Sequence, residues 1–335
     1  MDYQQRLPEI EALVRETFSL WDEQRVGFSW RHYYLNHSLR VRALALTLAR
    51  QEGADPDVVA YAATLHDLTK RYDGALALDA NGKRRLDRDG YWVTETLPPA
   101  RANHVTALYD ELGLAGQVHH LSGAALTERI LAEAGYPRPF INAVAHAIRA
   151  HVTPQNATAA ELEALYRPPE ARVLHDADLM DANLGLVAFY RNIQIHAGRA
   201  LAQTGAPLDP RAYIELVAPW VETKDPFLPR FRTATGQAMA AARQERNRQL
   251  VAWIAVEQPL GEPAWHYGVL GVITLFLEEP EDPSLTRALQ HLQTEWLPAR
   301  RAELARDGRA PHAAALLARA EQFADLLRDE VAGRI

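Results

Sequence analysis

The sequence predicts an all-α protein, a helical bundle with one small β-hairpin inserted into it. Three observations carry that reading. Apolar residues recur with a helical period along most of the chain, Pro and Gly punctuate the gaps between those runs, and a single segment shows alternation and turn chemistry instead. Residues 37–50 (HSLRVRALALTLAR) keep a 3.6-residue period and run into Gly53. Residues 56–71 open with Asp55 as N-cap and Pro56 at the first helical position, where its missing N–H costs nothing. Residues 74–96 (GALALDANGKRRLDRDGYWVTET) place Asn-Gly and Asp-Gly pairs between short alternating runs, which is hairpin chemistry. Further helical runs follow at 119–134, 139–151, 173–197, 211–221, 232–257, 264–278, 283–306 and 311–332. The stretch EQPLGEP near 257–263 interrupts two of them and marks a boundary between residues 1–257 and a C-terminal helical extension, 258–335.

Composition narrows the function classes. At 335 residues and 48% apolar content the chain can bury a sizeable core, and about one domain per ~150 residues gives roughly two domains or one enlarged one. There is no Cys, which removes disulfides, thiolate zinc sites and cysteine nucleophiles together. Any metal must be held by His, Asp or Glu. The N-terminal segment lacks a cationic start followed by an apolar run, so no signal peptide is expected, and the longest apolar stretch, Tyr267 to Leu277, is about half a membrane span and reads as a buried helix. A cytoplasmic protein off the membrane is the expectation. The net charge of −7 argues against broad nucleic-acid binding.

The 13 histidines are sorted by the faces they share. His37 heads the stripe Val41, Leu44, Leu48; His66 ends Val59, Ala62, Ala63; His119 opens Gly123, Leu126, Ile130; His151 closes Val144, Ala147, Ile148. Asp178 sits likewise among Leu174, Ala182 and Gly185, and Asp67 adjoins His66. Spacings of three and four put these groups on inward faces. A single His so placed is ordinarily a core residue bonded to backbone. Four on four helices, with two inward carboxylates, cost too much to bury without a partner, and a divalent cation is the economical one.

The ordered set His37…His66-Asp67…Asp178 resembles the HD superfamily of metal-dependent phosphohydrolases, and in particular its single-domain bacterial branch. HSLRV (37–41) is similar to that branch's H-x-x-R-V, HHLSGA (119–124) to H-x-x-x-G-A, and VAHAIRAH (144–151) to A-I-x-x-H. ARVLHDADLMDA (171–182) resembles the helix with the final ligand, and residues 233–257 the closing helix. The alignment selects His119 over His120 and Asp178 over Asp176. The insertion at 74–96 is longer than simple members carry, and 258–335 match nothing in the family.

The resemblance implies an HD-domain bundle in which His37, His66, Asp67 and Asp178 hold one divalent ion (Mn, Fe, Mg or Co), while His119 and His151, with Asp67 as bridge, hold a second. It implies Asp67 and Lys70 as catalytic residues, with Lys70, Arg40 and Arg149 toward a phosphorylated substrate. A small phosphorylated metabolite, a nucleotide first among them, is the expected substrate. The rivals are an HD-fold di-iron oxygenase on a polar or phosphonate substrate, an HD-type nuclease, and a metal-stabilised regulatory protein. In the hairpin, Lys83, Arg84, Arg85 and Arg88 suit a polyanion and Tyr91 with Trp92 suit a base, although the plainer reading is a solvated ornament with aromatics packed beneath it. The mixed-charge C-terminal helices read as a packing or homo-oligomerisation addition.

Overall fold

The computed structural model describes all residues except 1, 23–24, 27–28, 88–89, 279–283, 308–311 and 335, and for 25–26, 29–34 and 307 the backbone alone. Arg88, one of the four hairpin cations, therefore lies outside the described residues. The fold is predominantly helical. Two compact units divide it: residues 1–179 with 231–236, and residues 180–230 with 237–335. Two of the three cuts, at 179/180 and 236/237, fall within helices, whereas the sequence punctuation places a boundary at 257/258.

In the first unit the elements run α1 (Tyr3–Phe18), β1 (Arg25–Val26), β2 (Ser29–Trp30), α2 (Arg31–Glu52), α3 (Pro56–Leu65), β3 (Asp73–Leu76), β4 (Thr94–Thr96), α4 (His104–Glu111), α5 (His119–Glu133), α6 (Arg138–Ala150) and α7 (Ala159–Leu165). Helix α8 (Pro169–Asn183) begins there. Helix α3 is the hub: it packs on α1, α2 and α6, and α5 packs on α6. Every residue from Val58 to Leu65 is buried, as expected of a helix apolar on all sides. Its N-terminus is capped as the sequence indicates, with the Asp55 carboxylate accepting from the backbone of Asp57 and Val58.

The helix expected over 56–71 stops at Leu65. Beyond it the backbone tightens to three-residue turns: Leu68 N–H bonds Leu65 O, Lys70 N–H bonds Asp67 O and Tyr72 N–H bonds Thr69 O. Adjacent residues on a regular α-helix point about 100° apart. Unwinding at this point lets both His66 and Asp67 face the same space.

The insertion is a hairpin folded twice. Strands β3 and β4 pair antiparallel at its base, with Asp73 opposite Thr96 and Leu76 opposite Thr94. Two tight reversals then follow, closed by Gly82 N–H to Asp79 O and Gly90 N–H to Asp87 O, with Gly82 and Gly90 at positive φ. These are the Asn-Gly and Asp-Gly sites. Tyr91 packs its ring on His120 at 4.3 Å, while Trp92 stays partly exposed under Arg84.

The second unit contains the end of α8, then α9 (Gly185–Thr204), α10 (Pro210–Ile214), α11 (Val217–Glu222), most of α12 (Ala234–Glu257), α13 (Glu262–Tyr267), α14 (Val269–Leu277), α15 (Leu285–His291), α16 (Leu297–Asp307) and α17 (Ala313–Val331). Helices α9, α14 and α17 pack on one another. The apolar run at 267–277 is the buried α14, and no helix of the described residues is long and apolar enough to cross a membrane. The run expected over 173–197 is broken at Leu184, which is extended, and Gly185, at φ +85°. A side chain there would meet the Glu330 carboxylate at 2.4 Å, so glycine is required by both conformation and space.

Candidate metal centre

Six predicted ligands converge within the first unit. They form two triads, His37–His66–Asp178 and Asp67–His119–His151, and within each the ligating atoms lie within 4.8 Å of one another. Asp67 joins the two. Its Oδ2 lies 3.6 Å from His66 Nε2 and 3.8 Å from His37 Nε2. Its Oδ1 lies 3.5 Å from His119 Nε2 and 4.0 Å from His151 Nε2. Asp178 Oδ1 completes the first triad at 3.1 Å from His37 Nε2 and 3.7 Å from His66 Nε2.

The helices explain how the imidazoles are aimed. His66 and His151 cap the C-termini of α3 and α6. A helix C-terminus leaves carbonyls unpaired, and each ring uses one. His66 Nδ1 donates to Ala63 O at 2.8 Å and His151 Nδ1 to Ile148 O at 2.6 Å. With the proton fixed on Nδ1, each ring turns an Nε2 lone pair into the site. His119, at the first residue of α5, is brought close because Gly123 lies against the 66–69 turn, where an added Cβ would touch Thr69 Oγ1 at 3.4 Å. Thr69 Oγ1 in turn donates to His119 O at 2.9 Å.

The donor set fits a divalent cation. His66 Nε2 is buried and lacks a hydrogen-bond partner among the described residues, and His119 Nε2 and His151 Nε2 face each other at 3.3 Å. Lone pairs aimed at one another and at carboxylates call for an electrophile, and nitrogen with oxygen donors suits first-row divalent ions. One or two such ions can be held by these clusters.

Electrostatics agree. Burial would raise the Asp67 carboxyl, but His66, His119, Lys70 and His37 hold it below the usual carboxylate range. Burial acts the same way on Asp178, and the hydrogen bond from His37 together with the nearby His66 outweighs it and pulls that carboxyl well down. Burial and the neighbouring His66 push His151 down to about 3, keeping it a neutral ligand. Burial disfavours charge on His66 too, yet Asp67 and Asp178 raise it.

Asp176, His120, His146 and His175 serve elsewhere. Asp176 accepts from Arg232 N–H, Thr233 N–H and the Thr233 hydroxyl at 2.7 to 2.9 Å, anchoring the chain before α12. His146 bonds Leu165 O, His175 bonds His151 O, and His120 is buried behind Tyr91. Lys70 reaches the second triad, with Nζ 3.2 Å from His119 Nδ1 and 3.4 Å from Asp73 Oδ2. Arg40 is buried one turn along α2 from His37. Arg149 is directed elsewhere: its guanidinium pairs with Glu128 and is partly exposed. Asp73, with Oδ2 2.5 Å from His119 Nδ1, escapes a reading based on helical stripes because it opens a strand.

A helical bundle presenting two linked His/Asp triads is the architecture of a metal-dependent hydrolase centre. Residues 34–92 match the HD domain family, a span that contains His37, His66, Asp67 and the insertion. Among solved structures the chain is similar to a predicted HD superfamily hydrolase from an uncultured Thermotogales bacterium, with 22% identity, 76% of this chain and 93% of that chain covered, and a TM-score of 0.42. It is also similar to Bacillus subtilis YpgQ, with 19% identity, coverage of 78% and 99%, and a TM-score of 0.42. A complex of YpgQ with ADP gives the same identity and TM-score, with 78% and 98% covered. No curated protein matches.

Proposed function

We propose that this protein is a metal-dependent phosphohydrolase acting on a small phosphorylated metabolite, a nucleotide first among them, in the cytoplasm. The observation that carries the reading is the division of Asp67, one carboxylate oxygen facing each triad. His37, His66 and Asp178 would hold one cation with Asp67 Oδ2, and His119 and His151 the other with Asp67 Oδ1. Divalent ions so held would acidify a bound water and neutralise phosphate oxygens. The chain's own groups supply the rest. Fixed Nδ1 protons on His66 and His151 keep both rings from rotating out of the site. Lys70, at the edge of the second triad, is within reach of a non-bridging phosphate oxygen, where charge develops during displacement. Arg40 is the further candidate for the substrate, while the pairing of Arg149 with Glu128 leaves it a surface role.

The test is metal analysis of protein purified without chelator, paired with a phosphate-release screen across nucleotides. Release that requires added divalent cation and stops with chelator supports the reading. Two bound irons, oxygen consumption and no phosphate from any nucleotide would overturn it in favour of the oxygenase.

A further inference from the structure

We infer that Asp73 is a positioning residue for the second cation site, acting through His119 and tying that site to the inserted hairpin. The inference rests on the reading of Asp67, His119 and His151 as a cation site. His66 and His151 close helices and orient themselves on carbonyls of their own last turns. His119 cannot do so. It opens α5, and a helix N-terminus offers unpaired N–H donors and no acceptor. Its Nδ1 therefore needs an acceptor from another element. Asp73 Oδ2 provides one at 2.5 Å, and an ionised acceptor makes this a stronger bond than a backbone carbonyl would give. With the proton held on Nδ1, Nε2 is left bare where it lies 3.5 Å from Asp67 Oδ1 and 3.3 Å from His151 Nε2.

Asp73 is itself held in place. It is the first residue of β3, paired in register with Thr96, and its other oxygen faces Thr94 Oγ1 at 3.5 Å. Lys70 Nζ lies 3.4 Å from the same Oδ2, balancing the charge of a largely buried carboxylate. The base of the hairpin thus sets the direction of one ligand, which gives the insertion a role at the metal centre. Carboxylates behind metal-bound histidines typically change metal affinity by about 10- to 100-fold when removed.

Two measurements on the full chain test this. In cation-free protein labelled with ¹⁵N-histidine, long-range proton–nitrogen spectra report the tautomer of each ring, His119 being assigned by its loss in His119→Gln. The wild type is expected to show a single Nδ1–H tautomer for His119, and Asp73→Ala a mixture, with Asp73→Asn, whose amide oxygen can still accept, nearer the wild type. In a Mn²⁺ titration followed by electron paramagnetic resonance, Asp73→Ala should weaken the second ion by about 10- to 100-fold and leave the first unchanged. Circular dichroism checks folding, and Asp73→Asn serves should Asp73→Ala fail to fold. An unchanged His119 tautomer, or equal weakening of both ions, overturns the proposal. A wild type that binds one ion only, unaffected by His119→Gln, overturns the two-cation reading, while the tautomer result still decides whether Asp73 orients His119.

Discussion

Replacing Asp67 with Asn keeps the side chain's shape and removes the one charge that both triads share. The consequence can be sized from the geometry. Asp67 oxygens lie 3.5 to 4.0 Å from four imidazole nitrogens, so a cation bound by either triad sits within about that distance of the carboxylate. At ~4 Å and an effective dielectric constant of ~20, one unit charge acts on another with about 4 kcal/mol, or roughly a thousandfold in a binding constant. Asp67→Asn should therefore lose at least about 10³ in cation affinity, with turnover falling at least as far. Calorimetric titration with Mn²⁺ measures the first and phosphate release the second, while circular dichroism should remain that of the wild type. A folded variant that binds cations as tightly as the wild type would refute the bridging role.

Lys70→Ala should lower phosphate release by roughly 10²-fold or more, the usual effect of losing one preorganised electrostatic donor, with metal content unchanged. Elemental analysis alongside the rate separates this from ligand loss. Exchanging His119 and His151 together for Ala should abolish turnover and leave one cation per chain; full activity would make both histidines structural. The His151 value of about 3 has a signed consequence for stability. Below pH ~6.5 an unfolded His151 binds a proton that the folded ring refuses, so this group costs stability as pH falls toward 3, about 1.4 kcal/mol per unit. Cation-free His151→Gln should accordingly lose less stability than wild type between pH 6.5 and 5 in urea titrations. Gly236→Ala would put a Cβ 2.4 Å from Asp176 Oδ2 and 2.7 Å from Thr233 Oγ1, and about 1–3 kcal/mol of destabilisation should follow in the same assay.

The first-unit ligands were legible because helical period translates directly into facing. Stripes such as Val59, Ala62, Ala63, His66 or Val144, Ala147, Ile148, His151 place a polar group wherever their apolar members point, and these are buried. What the period hid was how helices end. His66 reads as an interior position of 56–71, yet it is a cap whose ring, like that of His151 at the end of its run, satisfies a terminal carbonyl, and Lys70 reaches the site from a three-residue turn where the period continues the helix. Asp73 escapes the period for a related reason: its role depends on strand pairing with Thr96, 23 residues further on, and on a bond to His119, 46 residues further on. Helix α1 lies outside the runs that the period picks out: Leu7, Ile10, Val14 and Phe18 share its buried face, but Pro8 interrupts it near the start. Within the second unit, breaks such as Leu184–Gly185 depend on the Glu330 carboxylate, which arrives from 145 residues further along.

The central claim is that one carboxylate stands between two cations. Anomalous diffraction from crystals soaked in Mn²⁺ tests it most directly. Two peaks are predicted, one bounded by His37, His66, Asp178 and Asp67 Oδ2, the other by His119, His151 and Asp67 Oδ1. Peaks absent from both triads, in crystals whose histidines keep these positions, would contradict the account.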